Sequence, residues 1–385
     1  MTTGVADPLG SMDLVTSEPR TPRLVMDLAT IRDRYRTLTQ ALPAATVHYA
    51  VKANPAPEVL ATLAAAGSGF DVAGRAEIAL VLEAGARPET LCFGNPVKKA
   101  ADVAAAAADG VHLFVTDSPE DLGVLAAAAP GATVLVRIMT DDSGSATPFG
   151  GKFGCSVGEA VQLICRTVEL GLVAGGVSFH VGSQQLDPHA WSAGIAASAE
   201  VAAAVAPIPL PYLDLGGGFP VPYLEPVPSM RACAASINAA LAQHFPGRRP
   251  AIAVEPGRFL VAEAGVVHSE VIRVSHRAGG RRWVYLDIGR YGGLAETEGE
   301  AIRYRLRTPH AGGPTGPAVL AGPTCDGDDV LYRTIELPLE LRAGDPVDLL
   351  AAGAYTASYA SVGFNGLPPL AVRCIDSAGG AEPDR

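Results

Sequence analysis

The sequence predicts an α/β chain: a (β/α)8, TIM-like barrel followed by a mainly β C-terminal domain. Three observations carry this. From about residue 24 to 258, short β-branched or apolar runs alternate with Ala/Leu/Glu-rich segments of about 10–15 residues at helical spacing. Those short runs number eight, which suits a closed barrel better than an open doubly wound sheet. After Arg258 the long helical periodicity stops, and strand-like runs follow one another between Gly, Pro and Asp turns.

In order, the predicted barrel strands are Thr46–Val51, Gly69–Val72, Leu91–Phe93, Leu113–Thr116, Val134–Ile138, Val177–Val181, Tyr212–Leu215 and Ala251–Glu255. Helices between them include Pro57–Ala66, Ala76–Ala84, Ala100–Ala108, Pro119–Ala128, Val157–Leu170 and Met230–His244. Asp117-Ser118-Pro119 reads as a helix start, because a side-chain oxygen and a proline suit the first turn. Later strands are predicted at Val266–Val274, Arg282–Ile288, Ile302–Arg307, Ala318–Ala321, Val347–Leu350 and Leu370–Ile375. The expected division is a tail over residues 1–22, either disordered or joined to the β domain, a barrel over 23–260 and a β domain over 261–385.

Composition narrows the function. With 385 residues and 48% hydrophobic residues, the chain can build a large core, which excludes disorder as its main state. Forty acidic against 29 basic residues leave a net charge of −11, so nucleic acid and anionic membrane surfaces are excluded as main partners. No apolar stretch is long enough to span a membrane and no leader pattern is visible, so the expected location is the cytoplasm. Six scattered cysteines show no metal-type spacing and read as free thiols, with no metal expected.

In such barrels chemistry gathers at the C-terminal ends of the strands. Those ends carry Lys52, Asp71, Arg137, His180 with Ser183, Gly216-Gly217-Gly218, and Glu255 with Gly257-Arg258. Lysine is scarce, and Lys52 alone of the four directly follows an apolar strand. Burial there would lower its pKa and make the amine nucleophilic; alternatively it simply snorkels from the strand end. Lys98 and Lys99, at a helix start, are expected to be solvated, and Lys152 sits in a Gly-rich loop. The triple glycine beside Arg258 suits a phosphate, although a glycine run is also an ordinary turn. Glu255 would pair either with a protonated pyridine nitrogen or with Arg258, and His180 would either stack on a flat ring or be a hydrogen-bonded core histidine.

Nine ordered stretches then carry a resemblance: YAVKANP from Tyr49, GFDVAGRAEI from Gly69, KFGC from Lys152, SFHVGSQQ from Ser178, LDLGGGFP from Leu213, EPGRFLVAEAG from Glu255, AGPTCDGDD from Ala321, GAYTASY from Gly353 and FNGLPPL from Phe364. From about residue 22 to 375 the chain resembles the fold-type-III (alanine-racemase-like) pyridoxal-phosphate decarboxylases, and within them the bacterial ornithine/lysine branch. The resemblance implies pyridoxal 5'-phosphate as cofactor, held covalently by Lys52, with His180 on the ring and Glu255 at its nitrogen. It places Ser183, Gly217, Gly218, Gly257, Arg258 and Tyr355 around the phosphate, and Asp71 and Arg137 near the reacting end. Cys325 is implied as the acid that protonates the α-carbon, and Asp326 as a residue for the substrate's distal amine. Both would reach into a neighbouring subunit's site, which implies a homodimer acting on a small amino acid, L-ornithine first and L-lysine next.

One departure bears on the substrate. Where the branch carries Asp-Glu after Gly293-Leu294-Ala295-Glu296-Thr297, this chain reads Glu298-Gly299-Glu300, so Glu296, Glu298 and Glu300 are the candidate acids for the distal ammonium. Other readings are another amino acid or a carboxylated polyamine in a specialised pathway, diaminopimelate decarboxylation, a racemase, and a cofactor-free pseudoenzyme like the antizyme inhibitors. Glu255 argues against the racemase, which would usually place an arginine there. The Cys-Asp-Gly motif argues against the diaminopimelate enzyme, and retention of Lys52, Glu255, Arg258 and Cys325 against the pseudoenzyme.

Overall fold

The computed structural model describes residues 21–377 except 248 and 311, so most of the predicted 1–22 tail lies outside the described residues. The chain opens with β1 (Arg23–Asp27), which runs straight into α1 (Leu28–Ala41) through an Asp27 cap that accepts from the Ala29 N–H. Then come β2 (Ala45–Ala50), α2 (Pro57–Ala65), β3 (Gly69–Val72), α3 (Arg75–Glu83), β4 (Leu91–Phe93) and α4 (Ala100–Ala108). Next are β5 (Leu113–Thr116), α5 (Pro119–Ala128), β6 (Thr133–Arg137), β7 (Ser145–Thr147), α6 (Val157–Glu169), β8 (Val173–Ser178) and β9 (Ser183–Gln185). After α7 (Ala190–Ala204), β10 (Tyr212–Asp214), α8 (Met230–His244) and β11 (Ala251–Val254), the short helix α9 (Arg258–Val261) leaves the barrel.

Eight parallel strands close into a barrel in the order β10-β11-β2-β3-β4-β5-β6-β8. The sixth predicted strand sits earlier than expected, at 173–178, because Gly175-Gly176 reads as a breaker. The structure uses the glycine for contact: a Cβ on Gly176 would collide with the Tyr212 carbonyl of β10. His180 and Ser183 therefore fall beyond the strand, at the mouth. α5 starts at Pro119 under a Ser118 cap, whose Oγ accepts from the Asp121 N–H at 3.2 Å.

The rest of the chain forms β12 (Gly265–His276), β13 (Arg282–Leu286), β14 (Arg305–Arg307), β15 (Thr315–Ala321), β16 (Val330–Pro338), β17 (Pro346–Leu350) and β18 (Ala371–Ile375). They make a second sheet ordered β14-β17-β12-β13-β15-β16, with β1 wedged between β12 and β18. Arg23–Asp27 thus belongs to the β sheet, which corrects a barrel beginning at residue 23: an isolated strand has no ladder partner in the closed barrel, whereas β12 and β18 satisfy both its edges. β16 escapes the alternation rule because two register shifts against β15 break its period.

Two threads tie the sheet to the barrel. The Asn54 amide donates to the Gly353 carbonyl at 2.9 Å, and the Gly353 N–H to the Ala262 carbonyl at 3.0 Å. A Cβ on Gly353 would strike the Val261 carbonyl, so only glycine permits this approach.

Lys98 is buried, contrary to its expected solvation. Its side chain has 0% exposure, and its ammonium donates to Asp121 Oδ2 and the Val115 carbonyl at 2.7 Å each and to the Asn95 carbonyl at 3.0 Å. Helices α4 and α5 close over it, and three acceptors satisfy a charge that burial alone would make costly. Lys98→Met should leave Asp121 buried and unpaired and cost about 3–5 kcal/mol. A denaturant midpoint unchanged from wild type would refute this, and adding Asp121→Leu should recover much of the loss.

Candidate active site

A cavity of about 630 Å³ opens at the C-terminal end of the barrel, a size suited to a cofactor with a small substrate. Of the residues singled out from the sequence, Lys52, Asp71, Arg137, His180, Ser183, Gly218, Glu255, Gly257, Arg258, Glu296, Glu298 and Tyr355 line it. Gly217 stands just behind: a Cβ there would lie 2.5 Å from the Glu255 carbonyl and 3.1 Å from His180 Nε2. Cys325, Asp326 and Glu300 are outside this cavity.

Lys52 emerges from the single 3-10 turn, Val51–Ala53, that ends β2. Its ammonium meets Asp71 Oδ2 at 3.3 Å, and that carboxylate raises the lysine pKa above its ordinary value, outweighing desolvation. The expected depression by burial does not occur, because β3 delivers an anion beside the amine. Lys52 is partly open to the cavity and Asp71 is buried, so the pair reads as an ammonium with a fixed counter-ion.

Glu255 follows β11, the strand that pairs with β2, so it stands near the Lys52–Asp71 pair. Burial, then the neighbouring Asp214 and Asp71 carboxylates, push its pKa well above the carboxylate range. Asp214, Glu255 and the Cys92 thiol lie within 4.8 Å of one another. The alternative pairing of Glu255 with Arg258 is not formed. Arg258 instead forks onto Glu296, Nη2 to Oε1 at 2.6 Å and Nη1 to Oε2 at 2.7 Å, and also donates to Tyr223 and Ser183 at 2.9 Å each. Geometry explains the choice: α9 turns Arg258 away from the floor toward the segment after β13, where Glu296 waits.

His180 is neutral by construction. Burial and the nearby Arg137 and Lys52 cations drive its pKa well below the usual value, while Nδ1 accepts from the Gly182 N–H at 3.1 Å. Phe149 packs edge-on against it at 4.8 Å, and the Arg137 guanidinium lies 5.0 Å from the Phe153 ring. Phe149, Phe153 and Tyr223 were not singled out from the sequence; their signal was only an aromatic beside a glycine loop or a proline. The strand β7, paired with β9, holds the 141–151 loop over this side.

The arrangement fits pyridoxal phosphate. An acid without a salt-bridge partner at the floor suits a ring nitrogen, and the amine at the end of the neighbouring strand suits an aldehyde. At the third corner a Cβ on Gly257 would sit 2.9 Å from the Tyr355 phenol, and one on Gly218 would sit 2.6 Å from the Gly182 carbonyl, leaving a cradle only glycines keep open. Arg258 closes that corner with a buried Nε that has no partner. Tyr355 adopts φ 55°, a conformation an L residue holds only when its surroundings impose it.

Fold and site together define a pyridoxal-phosphate enzyme of the barrel-plus-β-domain class. Residues 28–262 match the family described as "Pyridoxal-dependent decarboxylase, pyridoxal binding domain". The chain is 37% identical to the lysine/ornithine decarboxylase of Selenomonas ruminantium, over 90% of this chain and 87% of that one. It superposes on a lysine/ornithine decarboxylase from Vibrio vulnificus complexed with cadaverine at TM-score 0.83 and 36% identity, covering 92% and 94% of the two chains. The arginine decarboxylase of Paramecium bursaria Chlorella virus bound to agmatine superposes at TM-score 0.85 and 29% identity, covering 92% and 98%. The chain belongs to the pyridoxal-dependent decarboxylases and is an amino-acid decarboxylase that uses pyridoxal phosphate. Among the described residues no helix is long and apolar enough to cross a membrane.

The electrostatics of His180 are measurable. Its imidazole should stay uncharged, as the Nε2–H tautomer, between about pH 6 and 8 in nitrogen-15 spectra of the cofactor-free protein. A midpoint inside that window would contradict the site described here.

Proposed function

We propose that the chain decarboxylates a basic L-amino acid, L-ornithine first and L-lysine next, to a diamine and CO2, as a homodimer. The observation that carries this is an acidic rim on a cavity whose floor suits the cofactor. Glu298 lines the rim and its side chain is 79% exposed, held 3.2 Å from Arg290. Glu296 is committed to Arg258, and Glu300 turns away to the Arg333 N–H at 2.8 Å. Glu298 is therefore the acid of this segment that reaches a distal ammonium. The substrates named for the related enzymes, all basic amino acids, favour the same class.

Bound pyridoxal phosphate supplies the electron sink for the pair left behind when CO2 departs. The protein's residues do the rest. Lys52 would hold the cofactor covalently and, on giving way to the substrate amine, would take up the hydrogens that amine loses, with the Asp71 carboxylate as counter-ion to the ammonium. Glu255 would face the ring nitrogen with its raised pKa, and His180, neutral and backed by Phe149, would seat the ring and exclude water. Ser183, Gly217, Gly218, Gly257, Arg258 and Tyr355 bind the phosphate, with the Glu296 fork fixing the plane of the guanidinium. Arg137 keeps positive charge near the departing carboxylate.

Cys325 and Asp326 lie on an exposed turn, with the Cys325 thiol 3.5 Å from the Asn365 amide oxygen. Neither lines the cavity of its own chain, which favours a shared site: a second copy brings Cys325 to protonate the α-carbon and Asp326 to face the distal ammonium.

Three measurements test the reading. Wild-type protein should absorb near about 420 nm once loaded, and Lys52→Ala should not; unchanged colour removes the Lys52 assignment. A CO2-release screen over L-ornithine, L-lysine, L-arginine and meso-diaminopimelate should show the first two turned over, and no turnover of either overturns the substrate assignment. Mixing inactive Lys52→Ala with inactive Cys325→Ala should restore about a quarter of wild-type activity if each site is built from two chains. No restoration argues for a self-contained subunit.

A further inference from the structure

The segment that follows β13 carries three acids, and an arginine answers each of them. Glu296 meets Arg258 at 2.6 Å, Glu298 meets Arg290 at 3.2 Å and Glu300 meets Arg303 at 3.5 Å. The first pair is buried, and Glu300 lies outside the cavity. Only Glu298 both lines the cavity and stands mostly in solvent, with 79% of its side chain exposed. The chemistry above gives its partner, Arg290, no task.

We infer that Arg290 is a specificity-determining residue that masks Glu298, so that a substrate's distal ammonium takes this acid only by displacing a guanidinium. The inference rests on the reading above that Glu298 meets that ammonium.

The two partners differ in freedom. Arg290 is anchored: its side chain is 21% exposed, its Nη1 donates to the Asp328 carbonyl at 2.9 Å, and its backbone N–H donates to Asp329 Oδ1 at 2.8 Å. Asp329 is buried and also accepts from the Thr324 N–H and hydroxyl at 3.0 and 2.7 Å, so Arg290 is braced against a fixed turn between β15 and β16. Glu298 sits at a kink instead. Its φ of −54° and ψ of 131° leave the helical region, and Gly299 takes φ 60°. A Cβ on Gly299 would meet nothing within 4 Å, so the chain beside Glu298 has room. The acid swings and the guanidinium stays.

Competition for one carboxylate follows. An ammonium that replaces Arg290 on Glu298 exchanges one ion pair for another, so it gains less than it would on a bare acid. A tail without a cation leaves the pair intact and gains nothing from the rim. Arg290 thus sets how much a distal charge counts, and it does so from outside the cavity wall. Because the pair is exposed, the effect amounts to a few-fold change in affinity, and salt screens it.

The test compares the full chain loaded with pyridoxal phosphate as wild type, Arg290→Gln, Arg290→Lys, Glu298→Gln and the double variant Arg290→Gln/Glu298→Gln. Calorimetry reads the binding of putrescine, of cadaverine and of L-norleucine, whose tail carries no charge. At low salt Arg290→Gln should bind the diamines about three- to fivefold more tightly than wild type, and the gain should fade at about 0.5 M salt. Arg290→Lys, which keeps a cation, should stay near wild type, and L-norleucine should bind wild type and Arg290→Gln alike. In the Glu298→Gln background, removing Arg290 should tighten diamine binding less. An Arg290→Gln protein that binds the diamines no better than wild type overturns the inference. So does a matching shift for L-norleucine, which reports a loosened site, or Arg290→Lys behaving like Arg290→Gln. An equal gain with and without the Glu298 carboxylate also overturns it, since Arg290 would then only repel from a distance. If Glu298→Gln binds diamines as well as wild type, Glu298 is not their anchor, and that reading falls with this one. If Glu298→Gln weakens binding while Arg290→Gln fails to tighten it, only the masking falls.

Discussion

Closing eight strands into a barrel turns alternate side chains into one dry interior, and there Asp214 and Glu255 stand side by side. Two carboxylates so placed repel, and desolvation penalises each further, so the pKa of both is pushed above the carboxylate range at the floor of the cavity. The rest of the site is arranged around that constraint. The nearby cations are engaged elsewhere: Lys52 is taken by Asp71, Arg137 is flanked by two phenylalanine rings, and Arg258 is neutralised by Glu296. A cofactor whose ring nitrogen welcomes a proton is thus better suited to the floor than any residue the chain itself presents.

The β domain completes the mouth of the barrel. Gly353 docks against Ala262, and two residues later Tyr355 enters the glycine-lined corner of the cavity with its N–H donating to the Ala53 carbonyl at 2.8 Å, one residue beyond Lys52. Glu296 arrives from the segment after β13 to grip Arg258. Amine, glycine cradle and guanidinium are thereby locked to both domains, and β1, between β12 and β18, binds the chain's first described strand into the same unit. Precise placement follows from rigid elements meeting, since each contact is a backbone or buried side-chain bond.

How much of this was legible varies by residue. Lys52, His180, Glu255 and Arg258 could be singled out because each ends a strand, and the barrel rule says where strand ends go. Lys98 could not: nothing in Pro96-Val97-Lys98-Lys99 distinguishes it from Lys99, and only the packing of α4 against α5 buries one and leaves the other exposed. β16 was hidden by its bulges, and β8 by a glycine pair whose purpose is contact with β10. Glu296, Glu298 and Glu300 look interchangeable in the chain, yet a kink at Glu298-Gly299 sends them to Arg258, the cavity rim and Arg333 respectively.

The sequence by itself determined the two-domain order, the eight-strand count, the glycine positions and the set of chemical groups at the mouth, because periodicity and strand ends are local properties. Tertiary structure alone decided which charge pairs with which. It raised the Lys52 pKa where burial in isolation would lower it, gave Arg258 to Glu296 and left Glu255 facing Asp214. The reason is physical: a pKa or an ion pair depends on distances between groups far apart in the chain, and those distances exist only once the barrel has closed.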